Sequence, residues 1–317
     1  MSLTPAISAT LPFVTHGAIN YGEFHRLGLR PDQVVDFSAN SNPYGPHPAV
    51  VEAVRAAVSA STLARYPDRD CLELRTALAT VEELTPDWVM AGNGANELIH
   101  VAALAVVTPG SRHLIIAPTF GEYAQAIHLR GGQIFEYRPT RPDLRGEVEA
   151  IAARIEQLQP DGVWLCNPNN PTGQQWSAAE LAYLGQSGAA QSAWWVVDES
   201  YLHFTTAPVT LKPEIESGNL IILRSLTKDM ALAGLRLGYA LAAPSLINLL
   251  RRVQPAWSVN TLAQAAGIAA LQPEVLTWRN ESLHKVQQHA QQLWNELAEL
   301  GLTVLPTSTP YGLVKVG

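Results

Sequence analysis

Ser-Leu-Thr-Lys-Asp-Met-Ala-Leu-Ala-Gly-Leu-Arg, residues 225–236, is the stretch from which the rest of the chain can be read. It follows an apolar run at 220–223 that predicts a buried strand, so Lys228 leaves a sheet at a strand end, where open α/β sheets gather their ligand chemistry. An amine in a partly desolvated pocket beside another cation, here Arg236, has its pKa lowered and can form a Schiff base with an aldehyde. A single loop lysine is more often simply solvated. What lifts Lys228 above that reading is its company elsewhere in the chain.

Working outward, strands are expected upstream at 113–117, 134–137, 162–166 and 194–198, and downstream at 238–242, with helices at 122–129, 148–158 and 178–184 between them. Such alternation implies an α/β fold with a largely parallel sheet, because each parallel crossover needs a connecting element of about a dozen residues. Helical spacing also marks 48–60, 71–81 and 98–107, the last apolar on nearly every side and therefore expected to be buried. After Pro244 the pattern changes to long helices at 246–253, 261–270 and 274–300, followed by strands at 302–305 and 312–316. The division expected is an arm with part of a small domain at 1–45, a large domain at 46–245 and the small domain at 246–317. The arm, rich in Pro, Gly and Asn, carries one short expected strand at 34–37.

Several segments sit at expected strand ends. Gly92-Asn93-Gly94-Ala95-Asn96 leads into a helix, whose free N–H groups and positive dipole end suit a phosphate, although a helix capped by Asn96 without a ligand is the commoner reading of such a segment taken alone. Pro118-Thr119-Phe120-Gly121-Glu122-Tyr123 offers two aromatics, and Asn167-Pro168-Asn169-Asn170-Pro171-Thr172-Gly173 offers a polar amide. Asp198-Glu199-Ser200-Tyr201 supplies a carboxylate beside apolar residues and a tyrosine. The loop ending Asn40-Ser41-Asn42-Pro43-Tyr44-Gly45 reads either as a turn or as a flap over a ligand, and His16 with Asn20 either donates to an anionic substrate or lies at the surface.

Together these supply an aromatic platform, an amide, a carboxylate, a phenol, an amine and a guanidinium, the set that pyridoxal 5'-phosphate requires. Its aldehyde condenses with an amine, and its ring nitrogen stays protonated against a buried carboxylate. The flat ring stacks on an aromatic, and its phosphate seeks a helix N-terminus and a guanidinium fork.

On these motifs the chain resembles the fold type I, aspartate aminotransferase-like enzymes, and within them histidinol-phosphate aminotransferases and, more closely, threonine-phosphate decarboxylases. The resemblance implies a large domain built on a mostly parallel seven-stranded sheet and a smaller α+β domain. It implies Lys228 as the Schiff-base lysine, Asp198 as the partner of the ring nitrogen, and Tyr201 and Asn170 as donors to the ring hydroxyl. Gly94, Ala95, Asn96, Ser225 and Arg236 would hold the phosphate, with Phe120, or alternatively Tyr123, against the ring. Tyr66 matches a tyrosine that reaches the phosphate of a neighbouring subunit, which implies a homodimer. His16, Asn42, Gly45 and Asn170 are the expected substrate contacts. The family's chain continues past a strand like 311–316 to a late arginine that grips the substrate carboxylate; with the sequence ending at Gly317, the small domain is expected to be shortened, and Arg26, Arg30 and His16 are the substitutes to consider.

The activity expected is decarboxylation of threonine phosphate to an aminopropanol phosphate in cobalamin synthesis. The alternatives are amino transfer, as from histidinol phosphate, and a cofactor-binding protein with little turnover. The remaining composition narrows the partners. With 21 basic against 28 acidic side chains and no basic stripe, nucleic acid is not expected. No apolar run reaches membrane-spanning length, and Cys71 and Cys166 fit no metal spacing, so a reduced cytoplasmic enzyme without a metal is expected.

Overall fold

The computed structural model describes Val14 and residues 17–316. A seven-stranded sheet forms its centre, made of β1 (Val89–Gly92), β2 (Arg112–Ile116), β3 (Gln133–Tyr137), β4 (Gly162–Cys166), β5 (Trp194–Asp198), β6 (Leu220–Ser225) and β7 (Gly238–Leu241). Their order is β1-β7-β6-β5-β4-β2-β3, with β2 to β6 mutually parallel and β7 antiparallel to both its neighbours. Every residue of β4, β6 and β7 is buried, as expected for strands covered on both faces.

The helices before β5 are α1 (Tyr21–Leu27), α2 (Pro48–Ala57), α3 (Ala60–Leu63), α4 (Leu72–Glu82), α5 (Gly94–Val106), α6 (Glu122–Leu129), α7 (Val148–Leu158), α8 (Ala178–Leu184) and α9 (Gly188–Ser192). The chain ends in α10 (Pro244–Val253), α11 (Thr261–Ala270), α12 (Pro273–Glu299) and a hairpin of β8 (Thr303–Val304) with β9 (Val314–Lys315). One core, around Leu114, Val163, Leu165 and Ile222, lies beneath α4, α7 and α11. The other, around Ile99, Ile115, Trp164 and Leu223, lies beneath α5, α6 and α10. Side chains alternate along each strand, so neighbouring strand residues fall into opposite cores.

The α/β architecture and the seven-stranded sheet are as expected, and two local readings are corrected. No strand forms at 34–37: Asp36 Oδ1 accepts from Ser38 N at 2.7 Å and from Ser38 Oγ at 2.6 Å, which turns the chain, and Phe37 is 88% exposed. A strand not foreseen, β1, completes the sheet because β7 offers it an antiparallel edge, pairing Val89 with Leu241 and Gly92 with Gly238. The helix α10 lies on α5 and β1, and α11 lies on α2 and α4, so both cover the large sheet, whereas the far part of α12 carries the hairpin.

Beneath β6 a charged cluster ties four elements together. Arg224 on β6 pairs with Glu199 after β5 at 2.8 Å and with Glu82 on α4 at 3.0 Å, all three nearly inaccessible, and Tyr239 on β7 donates its hydroxyl to Glu82 at 2.6 Å. No described helix is long and apolar enough to cross a membrane.

Candidate active site

Four parallel strands end on the same edge of the sheet, and their following residues meet in one cavity. It is lined by Ala95, Asn96 and Ile99 from α5, Phe120 and Tyr123 beyond β2, Cys166 and Asn170 from β4 and its loop, Asp198 at the end of β5 with Ser200 and Tyr201 after it, and Ser225 at the end of β6 with Thr227, Lys228 and Arg236 beyond it. Parallel strands separated by crossovers converge in this way because each delivers its C-terminal end to the same side.

Asp198 ends β5, in register with Cys166 of β4 and Leu223 of β6. It is 5% exposed and receives two hydrogen bonds, from Tyr123 Oη to Oδ2 at 2.8 Å and from the Ser200 N–H to Oδ1 at 2.9 Å. Burial pushes its carboxyl above the usual carboxylate range, while the Ser200 and Tyr123 bonds and the Lys228 charge oppose that shift. A buried acid of this kind is ready to be ionised by a cation placed against it. Tyr123, 1% exposed, is therefore committed to the carboxylate, and Phe120, packed edge-on against it at 5.9 Å, is left as the ring facing a planar ligand.

Lys228 enters from the neighbouring strand, its Nζ 5.9 Å from the centre of the Tyr201 ring. Burial lowers the pKa of its amine and Arg236 lowers it further, against the pull of Asp198. The neutral, nucleophilic form is thus favoured relative to a solvated lysine. Tyr201 is itself buried, and burial raises the pKa of its hydroxyl, so it stays a donor.

The third wall is the start of α5. The first N–H groups of a helix have no partner within it, and here they belong to Gly94, Ala95 and Asn96. Gly94 has φ +78°, and a Cβ there would come within 2.6 Å of Arg236 Nη2; a Cβ on Gly238 would come within 2.7 Å of the Ala95 nitrogen. These glycines keep a helix N-terminus and a guanidinium close enough to share one anion. The Asn96 Oδ1 is buried without a hydrogen bond in the protein, and Ser225 and Thr227 hydroxyls, 2.7 Å apart, face the same space. The residues present fit pyridoxal 5'-phosphate: an amine, a buried acid and an aromatic ring line one cavity that also holds an anion cradle.

Not every expected contact converges. Asn42 is 3% exposed and spends both amide hydrogens internally, on the Asp229 carbonyl at 3.0 Å and on Ser282 Oγ at 2.8 Å, so it anchors a loop and does not face the cavity. Gly45, at φ +73°, makes a turn outside the cavity lining. Tyr66, expected at a neighbouring subunit's site and not at this one, is 78% exposed and stacks on Trp257 at 4.5 Å. Arg30 is held by Asp32 at 2.8 Å and Arg26 lies exposed. His16 lies outside the described residues. Ile99, Cys166, Ser200 and Thr227 were not singled out in the sequence; only Ser200 and Thr227, each one residue from a motif position, carried any signal.

Comparison with known proteins gives the same answer. Residues 32–317 match the class I and II aminotransferase family. The chain is 34% identical to histidinol-phosphate aminotransferase of Moorella thermoacetica, over 98% of this chain and 79% of that protein. It is likewise 34% identical to threonine-phosphate decarboxylase of Salmonella typhimurium, over 91% of this chain and 78% of that protein. The structure of histidinol-phosphate aminotransferase from Sinorhizobium meliloti in complex with pyridoxal 5'-phosphate superposes with a TM-score of 0.78 at 27% identity, covering 86% of this chain and 72% of that one. The chain belongs to the class I and II aminotransferase family, with a fold type I architecture and dependence on pyridoxal 5'-phosphate.

Proposed function

We propose that this protein is an aminotransferase acting on a small phosphorylated amine or amino acid, of the histidinol-phosphate type. The observation that carries the chemistry is the pairing of Lys228 and Asp198 across one cavity, each with its pKa moved towards the neutral form by burial. The choice of amino transfer reverses the order expected from the sequence motifs, because several of the curated relatives bear the histidinol-phosphate aminotransferase name.

The cofactor, when bound, supplies an aldehyde for the amine and a protonated ring that withdraws electrons. Asp198 would hold the proton on the ring nitrogen, a cation whose arrival returns the buried carboxyl to its ionised form. Tyr123 and the Ser200 N–H fix the direction of that carboxylate. Tyr201 and Asn170 would donate to the ring hydroxyl, and Gly94, Ala95, Asn96, Ser225 and Arg236 would bind the phosphate. Lys228 Nζ, once released by the substrate amine, would take the proton from the substrate's alpha carbon. Its depressed pKa makes the free amine more available as a base than that of a solvated lysine.

Decarboxylation of threonine phosphate is the second reading, supported by the Salmonella typhimurium relative. There Lys228 would return a proton to the carbon that has lost its carboxylate. Which bond breaks depends on the contacts that orient it, and the shared cofactor residues do not differ between the two. A homodimer is part of the proposal: the exposed stack of Tyr66 on Trp257 offers an aromatic surface of the kind a second copy covers.

Incubation of the cofactor-loaded protein with histidinol phosphate and 2-oxoglutarate, and in parallel with threonine phosphate, tests the choice. Glutamate formation in the first mixture is expected. Carbon dioxide and aminopropanol phosphate from the second, without glutamate in the first, would replace this reading by the other. A yellow protein that does neither would leave only cofactor binding.

A further inference from the structure

Lys228 and Asp229 are neighbours in sequence, yet their side chains serve opposite sides of the loop. Lys228 lines the cavity, whereas Asp229 is 1% exposed and turns towards α12 and the short 3-10 helix Leu202–Phe204. Its Oδ2 lies 2.9 Å from His203 Nδ1 and 3.6 Å from an Arg279 Nη1, and its Oδ1 accepts from the Met230 N–H at 3.0 Å. His203 and Arg279 hold the Asp229 carboxyl below its usual range although burial opposes them. The carboxylate is then only an acceptor, so His203 Nδ1 carries the hydrogen.

The two residues joined by this bond each follow a cavity residue. His203 lies two positions after Tyr201, and Asp229 one position after Lys228. A second set of bonds seats the same loop from behind: the Asn42 N–H donates to the Lys228 carbonyl at 2.9 Å, and Asn42 Nδ2 bridges the Asp229 carbonyl and Ser282 on α12. Asp229 does not contribute to the shift of the Lys228 amine, which comes from burial, Arg236 and Asp198. Whatever it does for Lys228 is done through geometry.

We propose that Asp229 and His203 are positioning residues, whose hydrogen bond ties the Lys228 loop to the segment after Tyr201 and so fixes where the lysine amine stands against the tyrosine ring. The inference rests on Lys228 being the amine that joins the cofactor. Without the bond, the Lys228 loop keeps its ties to Asn42 and to Arg279 but loses its direct link to the segment after Tyr201, and its amine samples positions from which the aldehyde is out of line. A buried hydrogen bond to an ionised group is worth enough that its loss changes a linked equilibrium by roughly tenfold or more.

The test uses the full chain stripped of cofactor. Affinity for pyridoxal 5'-phosphate is read from the visible absorbance, and the Lys228 amine is followed separately by amine-reactive labelling and mass spectrometry across pH. Asp229→Ala and His203→Ala are each expected to weaken cofactor affinity by roughly tenfold and to shift the Lys228 labelling profile, with the double variant no worse than either alone. Asp229→Asn, which keeps an oxygen to accept from His203, is expected to recover most of both readouts even if the alanine variant folds poorly. Wild-type affinity and labelling in the alanine variants, with only the melting temperature lowered, would overturn the proposal, as would additive losses in the double variant. If Lys228→Ala binds the cofactor as the wild type does, the functional reading fails; the labelling profiles, which need no cofactor, still decide whether Asp229 and His203 place the amine.

Discussion

Replacing Tyr123 by Phe isolates the support of the buried acid. The wild-type hydroxyl donates to Asp198 Oδ2 at 2.8 Å from a side chain only 1% exposed, so water does not take its place when the oxygen is removed. The Ser200 N–H on Oδ1 remains. A hydrogen bond to an ionised group contributes about 1.5–3 kcal/mol, against about 0.5–1.5 kcal/mol between neutral partners. The cost of the substitution must therefore depend on pH. Asp198 already has its folded pKa raised, so the stability it contributes is complete below the ordinary carboxylate value and is lost as pH rises through the folded value. Tyr123 favours the ionised form, so Tyr123→Phe raises that folded value further and deepens the loss on the alkaline side. Urea unfolding of the cofactor-free protein should show a destabilisation of about 1.5–3 kcal/mol at pH 8 that shrinks towards about 1 kcal/mol as pH falls into the carboxylate range. A cost that is the same at both ends, or larger in acid, would refute the argument that Tyr123 serves the carboxylate.

Arg224→Met leaves Glu82 and Glu199 buried without their shared cation and should cost about 3–5 kcal/mol in chemical unfolding; a cost below 1 kcal/mol would show the cluster to be solvated. Gly94→Ala should cost about 1–2 kcal/mol through its positive φ, and it should also weaken cofactor binding, because the new Cβ displaces the Arg236 guanidinium; unchanged binding by titration would count against the anion cradle. Arg236→Ala should weaken pyridoxal 5'-phosphate binding about tenfold while leaving affinity for pyridoxal, which lacks the phosphate, nearly as it was; equal losses for both ligands would place Arg236 elsewhere in the chemistry.

The sequence by itself determined the alternation of strands and helices and the residues that bear the chemistry. Apolar periodicity and strand-end motifs are local signals, which is why β4, β5, α6, α7, α8 and α11 fall where the pattern puts them and why Lys228, Asp198, Asn170 and Arg236 could be singled out. Only the tertiary structure decided what depends on a partner distant in the chain. The strand β1 exists because β7 gives it an edge, and 34–37 is no strand because Asp36 bonds locally instead. Asn42 became an internal anchor when its amide met Asp229 and Ser282, 187 and 240 residues away. Tyr123 became the support of Asp198, 75 residues on, when β2 and β5 brought them to one edge. A side chain's chemistry is written in its identity, but whether it faces a ligand, a neighbour or solvent is settled by which distant groups satisfy it first.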